Sequence, residues 1–197
     1  MERIRLGSSS SALCLRRAVS VLKDGGVIAY PTETVYGLGC DPRKMAAIER
    51  IRRIKKRARG KPFLFVAASL AQVKKVARLD GLAAQLAAQY WPGPLVLVLP
   101  SLSSSEEIAI RVSSSEFVRA LTNAFRFPII STSANHSDEL EARSGMAVAN
   151  IFQHQKDQPD LIIDAGALPR RKTSTIARIT KDGEIEICRQ GSIRLFP

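Results

Sequence analysis

The chain has 197 residues, of which 45% are hydrophobic and 24% are charged. A chain of this length buries about 70% of its unfolded surface on folding, so it needs neither disulfides nor a structural metal to form one ordinary domain. No apolar run approaches the roughly 20 residues that cross a bilayer, and we expect no association with a membrane.

The balance of charge is strongly basic. The sequence contains 30 Lys and Arg residues against 18 Asp and Glu residues, which gives a net charge of +12 and a pI near 10.2. This charge attracts polyanions such as RNA, but it would serve a nucleotide pocket equally well. Composition alone does not choose between these two kinds of site.

Two features of the sequence bear on the cellular compartment. Residues 1–11 contain no apolar core of a signal peptide. The three cysteines, Cys14, Cys40 and Cys188, are far apart and match no metal-ligand spacing, which is typical of reduced thiols in the cell interior. We therefore expect a cytoplasmic protein.

Apolar periodicity predicts a series of helices and short strands. Amphipathic spacing predicts helices over 12–22, 45–54, 70–79, 82–90, 115–125 and 146–152. Short apolar runs bounded by turn residues predict strands over 27–30, 63–67, 95–99, 108–112, 128–130 and 161–164. Asp182-Gly183 predicts a hairpin between two further strands. The sequence contains no internal repeat or low-complexity linker, so one domain is expected.

Two of the predicted strands end in hydroxyl-rich segments. The first is Tyr30-Pro31-Thr32-Glu33-Thr34-Val35-Tyr36-Gly37-Leu38-Gly39, and the second is Ser131-Thr132-Ser133-Ala134-Asn135. Ligands of open α/β sheets bind at strand ends, so we expect the two segments to converge on one pocket. For the first segment taken alone, an ordinary strand-to-loop exit is an equal alternative.

A basic cluster, Lys55-Lys56-Arg57-Ala58-Arg59-Gly60-Lys61, follows the second predicted helix. Cations at a helix C-terminus suit the helix dipole, so a solvated helix end is one interpretation. Together with a hydroxyl-rich glycine turn, the cluster is typical of a site for an anionic ligand such as a phosphate chain. The two histidines, His136 and His154, fall in polar loops, where we expect solvated side chains.

Seven short motifs occur in one order along residues 12–191. They are Tyr-Pro-Thr-Glu-Thr-Val-Tyr-Gly-Leu-Gly at 30–39, Lys-x-Arg-x-x-x-Lys-Pro at 55–62, Trp-Pro-Gly-Pro at 91–94, Ile-Arg-Val at 110–112, Ser-Thr-Ser-Ala-Asn at 131–135, Ser-Thr-Ile at 174–176 and Arg-x-Gly at 189–191. Each motif is weak alone, but in this order they resemble the YrdC/TsaC family of threonylcarbamoyl-AMP synthases.

The resemblance implies an α/β fold, with a twisted, open, mixed sheet flanked by helices around a concave basic cavity. It implies the family's short single-domain type over 12–191, with 1–11 as a flexible N-terminal segment and 192–197 as a C-terminal tail. It also implies a nucleotidyltransferase. Such an enzyme converts L-threonine, hydrogencarbonate and ATP into threonylcarbamoyl-AMP and pyrophosphate, the first step toward threonylcarbamoyladenosine in tRNAs that read codons beginning with A.

The resemblance also implies roles for individual residues. By motif position, catalysis is expected of Lys55 and Arg57, and ATP binding of Arg57, Lys61, Ser133, Asn135 and Arg189. L-threonine binding is expected of Thr34, Arg111, Ser131 and Ser174, with Arg111 suited to a bidentate contact with the carboxylate. No protein ligands for a metal are expected, since magnesium would arrive with the nucleotide, held by phosphates and water. Downstream transfer proteins of the TsaB, TsaD and TsaE type are the implied partners.

Two other functions compete with this interpretation. A double-stranded RNA or ribosome-associated binding protein would explain the net charge, although aromatic residues do not alternate with the basic ones as they do in single-strand binders. Binding of tRNA or double-stranded RNA could also accompany the synthase activity. A carbamoyl-transfer domain of a larger hydrogenase maturation factor would bring cysteine clusters, which three scattered cysteines do not form.

Overall fold

The computed structural model describes residues 1–58, 63–137, 139–180 and 182–195. The chain divides into two compact units, the first formed by Met1–Lys61 with Ile129–Arg170 and the second by Pro62–Pro128 with Arg171–Pro197. In chain order the elements are β1 (Glu2–Arg5), α1 (Ser11–Lys23), β2 (Ile28–Pro31), β3 (Tyr36–Cys40), α2 (Met45–Lys55), β4 (Leu64–Ala67), α3 (Leu70–Val73), α4 (Gly81–Tyr90), β5 (Leu95–Pro100), β6 (Glu107–Val112), α5 (Glu116–Phe125), β7 (Ile129–Ser133), α6 (Gly145–Phe152), β8 (Leu161–Asp164), β9 (Thr175–Ile179) and β10 (Ile185–Arg189).

The first unit contains strands in the order β1, β8, β2, β3 and β7. Strand β8 is parallel to both β1 and β2, whereas β3 is antiparallel to β2 and β7. Helices α1 and α6 pack on β8 and β2, and α2 packs on β3. Because every residue of β2 and β3 is buried, both strands lie inside the unit, covered on both faces.

The second unit contains strands in the order β4, β6, β5, β9 and β10. The β4–β6 and β5–β9 pairs are parallel, and the β5–β6 and β9–β10 pairs are antiparallel. Helices α3, α4 and α5 pack on β4, β5 and β6, around a core of aliphatic side chains that includes Leu95, Leu97 and Ile110. In both units the sheet is mixed and open and is flanked by helices, so the predicted fold class is confirmed.

Residues on both sides of the expected 12–191 domain take part in the described fold. Glu2–Arg5 forms strand β1, held by parallel pairing with β8 and by a 2.8 Å bond from the Glu2 amide to the Asp160 carbonyl. Three of its four residues are exposed, which is why the sequence has no apolar run here. Near the other end, Leu195 is 8% exposed and packs in the core of the second unit. That residues 12–191 form a single domain stays a prediction.

Two elements also depart from the predicted secondary structure. Strand β3 lies where the sequence predicts a polar loop, because its glycines give no apolar run. Helix α3 ends at Val73, well short of residue 79, although the predicted amphipathic pattern continues. Among the described residues, no helix is long and apolar enough to cross a membrane.

Candidate functional site

A buried hydroxyl turn joins β2 to β3. The Thr32 hydroxyl accepts hydrogen bonds from the amides of Thr34 (3.2 Å) and Val35 (3.3 Å) and donates to the Val35 carbonyl (2.7 Å). The Thr34 hydroxyl lies 3.2 Å from that of Thr32, and both side chains are buried. The side-chain bonds of Thr32 therefore fix the backbone that presents Thr34, a predicted L-threonine-binding residue.

The second hydroxyl-rich segment, residues 131–135, includes the end of β7 and leaves the sheet at the same edge. Strands β2 and β7 run in one direction, since both are antiparallel to β3, so their C-terminal ends lie at one edge. The Ala134 amide donates to the Tyr36 carbonyl over 2.8 Å, which holds the segment beside the start of β3. Within the first unit, the two polar strand exits thus lie at one edge, as the sequence predicts.

Lys55, at the end of α2, is enclosed by this second segment. Its side chain is 2% exposed, and its ammonium group donates to the Ser133 carbonyl (2.7 Å), the Asn135 carbonyl (2.9 Å) and Asn135 Oδ1 (3.0 Å). The Lys55 carbonyl in turn accepts bonds from the Ser137 amide and hydroxyl. These three bonds are short, and Ser133 Oγ lies 3.5 Å from the same nitrogen, so Lys55 supports the backbone that carries Ser133 and Asn135.

Four cations near the end of α2 line an open cavity of about 320 Å³, which is formed by Glu49, Arg52, Arg53, Lys56 and Arg57. Arg52 pairs with Glu49 at 3.3 Å and Arg53 with Asp157 at 3.0 Å. The hydrogen bond to Asp157 raises the pKa of Arg53. Two of the four cations that line the cavity are therefore neutralised within the protein. Lys61, predicted to bind ATP, lies outside the described residues.

His136 is placed differently from the expectation. The sequence predicts a solvated side chain, but the ring is only 8% exposed and packs edge-on against Phe152, with ring centroids 5.5 Å apart. Its Nδ1 lies 3.2 Å from Glu139 Oε2, and Asn135 Nδ2 donates to the Glu139 carbonyl over 2.6 Å. The loop folds back on itself through the two bonds to Glu139, and the ring is buried by its contact with the more distant Phe152, which leaves no periodic signal in the sequence.

In the second unit, three predicted residues come together at Ser174. Arg111 is 4% exposed and its Nη1 donates to the Ser174 hydroxyl over 2.9 Å. Arg189 donates from Nε (3.2 Å) and Nη2 (3.0 Å) to the Ser174 carbonyl. Two guanidinium groups held on one residue form a fixed centre of positive charge, which suits an anionic group of a ligand.

Two further groups have strongly raised pKa values. Burial raises the pKa of Tyr36 to about 12, although a hydrogen bond from the Ala165 amide lowers the pKa in part. The Tyr36 hydroxyl donates a hydrogen bond to the Gly166 carbonyl. Burial and the neighbouring Asp41 carboxylate raise the pKa of Cys40 to about 12, so this thiol is not a nucleophile near neutral pH. Within the described ranges, no group of three or more His, Cys, Asp or Glu side chains could hold a metal ion.

The sequence alone indicates no role for Tyr30 or Thr32, although both lie in the first motif. Their hydroxyls contact two predicted L-threonine-binding residues, because the Tyr30 hydroxyl donates to Ser131 Oγ over 2.7 Å and that of Thr32 touches Thr34. Their position within the motif is the one signal that could have pointed to them.

The sequence matches the model of the Sua5/YciO/YrdC family, described as "Telomere recombination", over residues 20–191. A relative from Psychromonas ingrahamii, named threonylcarbamoyl-AMP synthase, is 42% identical over an alignment that covers 77% of this chain and 84% of the relative. A second relative with this name, from Marinobacter nauticus, is 38% identical and is covered over 94% of its length.

Solved structures agree with the sequence match. The structure of E. coli YciO superposes with a TM-score of 0.83 at 28% identity, covering 96% of this chain and 94% of that one. The structure of P. abyssi Sua5 complexed with L-threonine superposes with a TM-score of 0.85 at 30% identity over 96% of this chain. The present chain spans 57% of the P. abyssi protein.

Proposed function

The chain belongs to the Sua5/YciO/YrdC family, and from this membership we propose that it is a threonylcarbamoyl-AMP synthase, an enzyme of the nucleotidyltransferase type. The observation that carries the proposal is the 42% identity to a relative of that name. A binding protein for double-stranded RNA without synthase activity is not favoured, because the two relatives described above are named threonylcarbamoyl-AMP synthases.

The reaction places two anions against each other. The amine of L-threonine and hydrogencarbonate form a carbamate with loss of water, and a carbamate oxygen then attacks the α-phosphorus of ATP. The bond from that phosphorus to the oxygen bridging the α- and β-phosphates breaks, and pyrophosphate leaves with its electron pair. The protein must hold both anions together and neutralise the leaving group, which is catalysis by positioning and electrostatics.

We assign the nucleotide to the loop supported by Lys55. The Ser133 hydroxyl suits a hydrogen bond to ATP, and Asn135 Nδ2 has a second proton to donate beside the one that it gives to the Glu139 carbonyl. Arg57, just after α2, suits the charge of the phosphates. The Lys55 ammonium already bonds three oxygens, so its proposed contribution is to hold Ser133 and Asn135 in place. Lys61 keeps its expected role as a phosphate ligand.

We assign L-threonine to buried hydroxyls and to a buried cation. In the first unit, Thr34 and Ser131 are the proposed hydrogen-bonding groups, and both are at most 6% exposed. In the second unit, Arg111 is the proposed partner of a carboxylate, oriented by its bond to Ser174, with Arg189 adding charge at the same residue. The structure of P. abyssi Sua5 complexed with L-threonine supports this choice of ligand.

Three further points complete the proposal. A magnesium ion would accompany ATP; the described residues form no carboxylate cluster for it, and no step above is assigned to it. Residues 12–191 would act as one domain. The unstable product would pass to transfer proteins of the TsaB, TsaD and TsaE type in the cytoplasm, and tRNA binding would use the basic face of α2.

The test is pyrophosphate release by the purified protein with ATP. L-threonine and hydrogencarbonate are added singly and together. The proposal expects release only when both are present. Pyrophosphate release that does not depend on L-threonine, or no release under any combination, would contradict the proposal. Arg5→Ala, in the exposed edge strand β1, serves as a matched control for variants of the basic cluster.

A further inference from the structure

The side chain of Tyr30 crosses a whole strand to reach Ser131. Tyr30 lies on β2 and Ser131 on β7, with β3 between them. Neighbouring strands are about 4.8 Å apart, so the backbones of β2 and β7 are separated by about 10 Å. The Tyr30 hydroxyl nevertheless donates to Ser131 Oγ over 2.7 Å, and both residues are buried.

Two glycines of β3 make this crossing possible. The register pairs Tyr30 with Gly37, and Gly37 with Ser133, while Gly39 pairs with Ser131, so all these residues share one face of the sheet. A Cβ atom on Gly39 would lie 2.8 Å from Tyr30 Cε1, and one on Gly37 would lie 3.3 Å from Ser131 Oγ. The two glycines thus leave this face of β3 open, and the Tyr30 ring lies across it.

The direction of this hydrogen bond determines what Ser131 can do. A phenol is a stronger acid than an aliphatic alcohol, so the Tyr30 hydroxyl donates and Ser131 Oγ accepts. Ser131 keeps its own proton, and no acceptor in the described part of the chain is bonded to it. The hydroxyl is fixed in place and remains able to donate to an oxygen of a ligand.

From this geometry we propose that Tyr30 is a positioning residue for L-threonine, which it serves by holding the Ser131 hydroxyl as a hydrogen-bond donor to an oxygen of the amino acid. The inference rests on the proposed function, because it takes L-threonine as the ligand of Ser131. Tyr30 acts through its hydrogen bond to the serine.

The test is a double-mutant cycle on the full chain, with L-threonine affinity measured by isothermal titration calorimetry. Tyr30→Phe keeps the ring over Gly39 and removes one hydroxyl, and Ser131→Ala removes the donor. Each single variant is expected to weaken the binding of L-threonine by about three- to tenfold, the equivalent of one neutral hydrogen bond. The double variant is expected to bind as weakly as Ser131→Ala alone.

Other outcomes of the cycle overturn the inference. An unchanged affinity of Tyr30→Phe for L-threonine would overturn it. So would a double variant whose loss of affinity equals the product of the two single losses. Tyr90→Phe, in a half-buried tyrosine at the end of α4, is the control and is expected to bind normally.

Kinetic measurements distinguish a positioning role of Tyr30 from a loss of folding and from failure of the proposed function. In pyrophosphate release, Tyr30→Phe should raise KM for L-threonine and leave both kcat and KM for ATP within about twofold. A merely destabilised protein would lose apparent kcat at unchanged KM, which would overturn the inference. If the wild-type protein binds L-threonine but releases no pyrophosphate, the proposed function fails while the binding cycle still tests Tyr30. If it binds no L-threonine, the inference fails too.

Discussion

Replacing Lys55 with methionine tests the interpretation of its buried ammonium group. The substitution keeps most of the side-chain volume and leaves three buried oxygens, on Ser133 and Asn135, without their donor. Three hydrogen bonds to a charged group stabilise by about 1.5–3 kcal/mol each, or about 4.5–9 kcal/mol together. Relief of the ammonium's desolvation, which costs several kcal/mol, offsets part of this. We expect a net loss of about 3 kcal/mol.

A loss of this size is readily measured. For a protein of this length it lowers Tm by about 6–12 °C. Lys23→Met is the matched control, because Lys23 is exposed in the last turn of α1, and its Tm should change by about 1 °C or less. We also expect KM for ATP to rise about tenfold, since the loop of Ser133 and Asn135 loses its support. A Tm for Lys55→Met equal to that of the control would refute the reasoning.

Three other predictions follow from the structure. Arg57→Ala should raise KM for ATP at least about tenfold, because a contact with the phosphates is lost; normal turnover with ATP would remove this role. Because burial holds the pKa values of Tyr36 and Cys40 near 12, above their ordinary 10.0 and 9.0, the folded state keeps protons that the unfolded state loses. The stability that these two groups contribute should therefore be fully present below about pH 9 and be lost between about pH 9 and 12. In urea titrations at several pH values, Tyr36→Phe should flatten the upper part of this loss. Arg126 has a φ of 63° at the end of α5, so its replacement with glycine should stabilise the protein by about 1 kcal/mol. A lower unfolding midpoint in urea would contradict the assigned backbone strain.

The sequence predicts those parts of the fold in which burial leaves a local pattern. The apolar runs that end at Tyr30 and Ile130 are strands, and the polar residues after them lie at one edge because β2 and β7 run in the same direction. Strand β1 could not be predicted, because an exposed edge strand of alternating charge has no apolar face. Strand β3 has no apolar run in the sequence, because its glycines leave room for the Tyr30 side chain from the neighbouring strand β2.

The functional roles divide in a similar way. Residue types and their order are enough to nominate Lys55, Arg111 and Ser174, but not to say what each one touches. That Lys55 bonds two carbonyls and an amide oxygen is a tertiary fact, and so is the position of Arg111 against Ser174. His136 shows the limit most clearly, since a polar sequence context surrounds a ring that is buried against Phe152.

The most direct test of the central claim is the fate of labelled hydrogencarbonate. The purified protein is incubated with ATP, L-threonine and ¹³C-hydrogencarbonate, and the nucleotide products are analysed at once by mass spectrometry. We expect an adenylate with the mass of threonylcarbamoyl-AMP that contains one ¹³C atom and appears together with pyrophosphate. A product that contains threonine and AMP but no ¹³C, or an unlabelled AMP alone, would contradict it.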